Sequence, residues 1–127
     1  MVVTVTAVGA LVLACGGTDP SADGTLCAEV QRVVDELADL EVPVGEVSGP
    51  DVQAYRVLAS HLVVAAGGDP DGTPTPELAT VVRRAGMAGT SQPSTTEFLA
   101  GLEASHDACA DLGIALDRRS LDAVGGR

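Results

Sequence analysis

His61 and His106 are the side chains of this chain that titrate near neutral pH, and each follows a serine: Ala59-Ser60-His61 recurs as Ala104-Ser105-His106. Serine beside histidine pairs a nucleophile with a base by type only, because adjacent residues on a helix point in different directions. His106 has a second chemistry within reach. Glu103 precedes it by three residues, the Glu-x-x-His spacing with which carboxylate-bridged di-metal bundles hold their ions. Such a site needs the spacing twice, and the residue three before His61 is Leu58. His106-x-x-Cys109 has the form of half a zinc site, with no second half. Asp69-Pro70-Asp71-Gly72 places its glycine fourth, where a calcium loop needs it sixth, and reads as a turn. The sequence has no Gly-x-Ser-x-Gly elbow, P-loop or dinucleotide fingerprint. These residues point to a non-enzymatic binding or interaction module without a cofactor. The alternative, a metal- or haem-handling protein, requires His61 and His106 to face one another across two helices.

The elements that position these residues follow from composition and spacing. A chain of 127 residues suffices for one modest domain. It is 46% hydrophobic but only 2% aromatic, so its core must be built from Ala, Val and Leu, which suits closely packed helices. Leu26, Val30, Val33, Leu37 and Leu40 define one helix face, with Asp23 or Thr25 as the expected N-cap and Pro43 beyond its end. Ser48-Gly49-Pro50-Asp51 announces a second helix carrying Val52, Tyr55, Leu58, Leu62 and Ala65 to Gly67-Gly68. Thr75-Pro76-Glu77 opens a third through Leu78, Val81, Val82 and Ala85, which the glycines between Gly86 and Gly89 are expected to end. Ser94-Thr95-Thr96-Glu97 is a capping box. It starts a fourth helix through Phe98, Leu102, His106 and Cys109, with Gly113 as a left-handed C-cap and Ile114 folding back on Cys109.

The expected fold is all-α: a small antiparallel bundle of about four helices over residues 25–116, followed by a polar, frayed tail over 117–127. Tyr55 and Phe98 fall on core stripes. The repeated Ala-Ser-His would map the second helix on the fourth if the bundle were a duplicated hairpin.

The net charge of −11 is spread along the chain. Nucleic acid is therefore excluded as a partner, because phosphate binding needs clustered cations, and simple adsorption to anionic lipid is disfavoured. All seven basic residues are Arg, and Lys and Asn are absent, a bias that points to a G+C-rich genome of the actinobacterial kind.

Val2 to Ala14 is an uncharged, largely apolar run, the length of a signal-peptide core and short of the roughly 20 residues that span a bilayer. It ends at Val12-Leu13-Ala14-Cys15-Gly16-Gly17, which resembles the lipobox of bacterial lipoproteins. The match departs from that pattern in the bulk of Leu13 and in having no Lys or Arg ahead of the run. The resemblance implies a signal peptide over 1–14, cleavage between Ala14 and Cys15, and a diacylated Cys15 thiol. Two or more acyl chains anchor stably, so the protein is expected on the extracytoplasmic face of the cell membrane, where another envelope protein or a small apolar ligand is the expected partner. Residues 15–24, rich in Gly, Ser, Asp, Pro and Thr, read as a flexible tether. With Cys15 carrying lipid, Cys27 and Cys109 remain as one pair, expected to form a disulfide in an oxidising compartment.

Overall fold

The structure, a computed structural model, describes residues 20–41, 46, 48–67, 72–93 and 96–125. Ala14, Cys15, Asp69, Asp71 and Ser94 lie outside them. The described residues form five helices: α1 (Pro20–Asp39), α2 (Pro50–Ala66), α3 (Pro76–Ser91), α4 (Thr96–Asp111) and α5 (Arg118–Val124). Three of them begin at a proline, whose fixed φ suits the first turn and whose missing N–H costs nothing there. Gly49, at φ +59°, turns the chain into α2 ahead of Pro50.

The first four helices close into an antiparallel bundle, each packing on its sequence neighbour and α4 packing back on α1. Cys27, early in α1, is bonded to Cys109, late in α4, with their Cα atoms 6.0 Å apart. This link ties antiparallel partners at one end of the bundle and closes 82 residues of chain; a loop of that size stabilises by about 2–4 kcal/mol in practice. The core is the expected aliphatic one, with Tyr55 and Phe98 fully buried edge to face, ring centres 6.2 Å apart. Burial, and then the nearby Asp51 charge, push the Tyr55 hydroxyl up to about 12. The end of α4 is a Schellman motif: Gly113 sits at φ +83°, its N–H reaches Ala110 O, and Ile114 N–H reaches Cys109 O at 2.9 Å.

The structure corrects the sequence expectation in three places. Helix α1 begins at Pro20, so the segment expected to be tether through Gly24 is already helical from that residue. Asp23 is no N-cap of its own helix. Its buried carboxylate accepts from the Thr75 N–H (2.6 Å) and hydroxyl (2.7 Å), fastening the start of α1 to that of α3. The segment expected to be a frayed tail over 117–127 is ordered through Gly125. Asp117 caps α5 by accepting from Arg119 N–H, and the Gln31 amide on α1 accepts from Asp117 N–H at 2.7 Å and donates to its carbonyl at 3.3 Å. Leu121 and Val124 then bury completely against the bundle.

The third correction concerns α3, which runs straight through Gly86 and Gly89 to Ser91. A Cβ on Gly86 would lie 2.8 Å from Ala59 O and 2.9 Å from Val63 N; one on Gly89 would lie 2.6 Å from both Ala59 Cβ and Phe98 Cε1. These glycines are contact points with α2 and α4, and helix packing outweighs the ~1 kcal/mol that each costs in propensity. Gly86→Ala is therefore expected to lower stability by about 1–3 kcal/mol. Gly24→Ala, with no heavy atom within 4 Å of the new Cβ, is expected to raise it by up to ~1 kcal/mol. Urea denaturation of both variants measures this, and stabilisation by Gly86→Ala would contradict the contact.

Candidate functional site

The two histidines occupy different surroundings. His61, half-buried on α2, has Nδ1 3.0 Å from Arg32 Nη2 on α1. A guanidinium can only donate, so Nδ1 accepts and the proton of the neutral ring is on Nε2. Arg32 also holds Glu29, at 2.6 Å, and Glu36. Its hydrogen bond is the main cause that lowers the Glu29 pKa. This is a solvated charge network bridging α1 and α2.

His106, by contrast, is 3% exposed, and neither of its ring nitrogens has a hydrogen-bond partner. The Glu103–His106 spacing therefore makes no hydrogen bond. The serines are also uninvolved, since Ser60 donates to Val57 O and Ser105 to Gly101 O within their own helices. Among the described residues no group of three or more His, Cys, Asp or Glu side chains is placed to hold a metal ion. Cys109 is taken up by its disulfide with Cys27. Glu103 and the two histidines thus form no such group.

Burial lowers the pKa of His106, and the Arg118 charge at the start of α5 adds to this; Asp107 on the same helix, Asp35 on α1 and Asp117 pull the other way. Because the folded pKa lies below the ordinary 6.5, the unfolded chain binds the proton first. The stability contribution of neutral His106 is then complete above pH ~6.5 and declines as pH falls below it. Replacing the ring by an apolar group of similar volume also removes two unsatisfied polar atoms. His106→Leu is expected to gain about 1–3 kcal/mol at pH 7 and to flatten the stability profile between about pH 6.5 and 5. Thermal melts of both proteins across this range test it; a destabilised variant with an unchanged profile would show that the ring is not held neutral.

A different feature has the shape of a binding site. Along the outer seam of α3 and α4 runs an open furrow of about 690 Å³, whose floor includes Val81, Ala88, Ala100, Gly101 and Ala104. Past Val81 and Ala104 it continues into a second hollow of about 330 Å³, between Leu78 and Ala108, toward Leu112. Met87 and Leu112, 54% and 43% exposed, stand beside it. The furrow exists because the seam is built of small residues: a Cβ on Gly101 would lie 2.8 Å from Ala85 Cα, so the helices touch there and leave a shallow trough outside. Sequence reading missed it. The signal was the run of Ala and Gly at helical spacing in α4, which the stripe of larger apolar residues on its other face overshadowed.

Comparison with protein-family models, with curated proteins and with solved structures gives no match for this chain. The furrow and the two histidines must be read on their own chemistry.

Proposed function

We propose that this protein is a non-enzymatic binding module of the bacterial cell envelope, anchored by acyl chains on Cys15 to the extracytoplasmic face of the membrane, and that it works through the furrow between α3 and α4. The observation that carries the binding role is the furrow itself. Its volume falls in the range of ligand sites, roughly 300–1,000 Å³, and two large apolar side chains, Met87 and Leu112, are left in water beside it.

The anchor rests on the lipobox-like Val12-Leu13-Ala14-Cys15. It is supported by the Cys27–Cys109 disulfide, since such bonds persist in oxidising compartments outside the cytosol. Among the described residues no helix is long and apolar enough to cross a membrane. A chain reaching the domain from the lipid spans only residues 15–19 before α1 begins, so the bundle stays within roughly 15 Å of the surface.

Two measurements test the proposal. The intact mass of the protein from host membranes is expected to match Cys15 to Arg127 plus acyl chains and to rise by two hydrogens on reduction; an unacylated chain retaining Val2 to Ala14 would refute the anchor. For the furrow, Nile red, a neutral solvatochromic dye, is expected to bind the full chain with blue-shifted emission. Ala104→Gln, at an exposed floor position, is expected to weaken it roughly tenfold. Equal dye binding by both proteins would remove the furrow as the site.

A further inference from the structure

The furrow is apolar along its floor, but its walls carry Glu97 at one end and Glu77, Asp107 and Asp111 toward the other, against a single cation, Arg84, among the described residues. Asp107 lies 3.8 Å from Arg118; among the described residues the carboxylates of Glu77, Glu97 and Asp111 make no salt bridge. Resting on the reading of this furrow as a binding site, we propose that its occupant is an amphipathic helix of another protein, with an apolar stripe flanked by Lys or Arg.

Three physical arguments select that partner. The first concerns backbone. The furrow is made by two helices whose own N–H and C=O groups are paired internally, so it offers no ladder to an extended peptide. A helix brings its backbone already satisfied and can lie on such a surface without stranding polar groups.

The second concerns shape. Helices α3 and α4 are 16 residues each, so the furrow is roughly 24 Å long. That matches a partner helix of about four turns, set close because Ala88, Ala100, Gly101 and Ala104 present almost no side-chain height.

The third is charge. A fatty acid or phospholipid would carry its anionic head between carboxylates. A second copy of this chain would bring a net charge of −11 to a surface of the same sign. A cationic flank on each side of an apolar stripe meets the Glu97 wall at one end and the Glu77 and Asp111 walls at the other, which favours encounter and fixes orientation.

The test uses the full chain and a pair of fluorescent helical peptides of about 18 residues, sharing one Leu stripe at i, i+3 and i+7 spacing and flanked by Lys in one and Glu in the other. Fluorescence anisotropy is expected to show the Lys peptide binding at least roughly tenfold more tightly at about 50 mM salt, with the gap narrowing at about 200 mM. Ala100→Gln with Ala104→Gln changes no charge at two exposed positions and is expected to weaken the Lys peptide roughly tenfold. The triple variant Glu77→Lys, Glu97→Lys, Asp111→Lys is expected to reverse the preference. Lys-peptide binding untouched by the two glutamines would mean diffuse attraction to an acidic protein and would overturn the proposal. Equal binding of both peptides, lost in the glutamine variant, would keep the furrow as a binding site and overturn its basic partner. Dodecanoate displacing the Lys peptide at concentrations where it binds the wild type but not the glutamine variant would assign the furrow to an acyl chain instead.

Discussion

Helix α3 lies against α2 and α4 at backbone distance because it has no side chain at Gly86 and Gly89 and only a methyl at Ala85. With Ala59 supplied by α2 and Gly101 by α4, three helices meet along small residues. In a chain with one Tyr and one Phe there are few large side chains to fill wide gaps, so the helices must close the gaps themselves. Dispersion between closely approaching backbones and short aliphatics takes the place of bulky packing. The same economy of side chains shapes the outside: where α3 and α4 touch at Ala85 and Gly101, their outward residues are small as well, and the seam sinks into a furrow. Packing and the candidate site thus have one cause.

Helix α1 is held by polar and covalent ties in addition to its apolar stripe. Asp23 fastens it to Thr75 at the start of α3, Cys27 to Cys109 at the end of α4, and Gln31 to Asp117 at the start of α5. These three residues follow one another at intervals of four along α1, so a single face carries all of them. Each tie joins segments far apart in sequence. The disulfide acts by restricting the unfolded chain, whereas the two hydrogen-bonded ties act by satisfying backbone groups where other helices begin. His106 works against this economy, since its two nitrogens are buried without partners beside residues of α1 and α5.

What could be read from the sequence was what depends on one segment at a time. The stripes of α1, α2 and α4, the proline starts, the Gly113 and Ile114 turn and the Cys27–Cys109 pairing are all present in the structure. What depends on two segments meeting was misread or missed. Gly86 and Gly89 look like a stop until Ala59 and Phe98 are seen against them. Asp23 looks like a cap for its own helix until Thr75 takes its carboxylate. Helix α5 has two buried apolar residues, Leu121 and Val124, too few for a periodicity, and owes its place to Gln31 on a distant helix. The furrow belongs to the same class, because alanine on a single helix fits core and surface alike.

The repeated Ala-Ser-His shows how far local similarity is from structural equivalence. In α2, Ala59 is fully buried against α3 while His61 is half exposed beside Arg32. In α4 the order inverts: Ala104 is exposed on the furrow floor while Ser105 and His106 are buried. Had a duplicated hairpin produced the second and fourth helices in register, the two triplets would present the same faces to the bundle. They are rotated relative to one another, which argues against an in-register duplication, and the buried histidine takes its environment from α1 and α5, whereas His61 meets α1 through the exposed Arg32. Function must accordingly be sought in surfaces that two helices build together, such as the α3–α4 furrow.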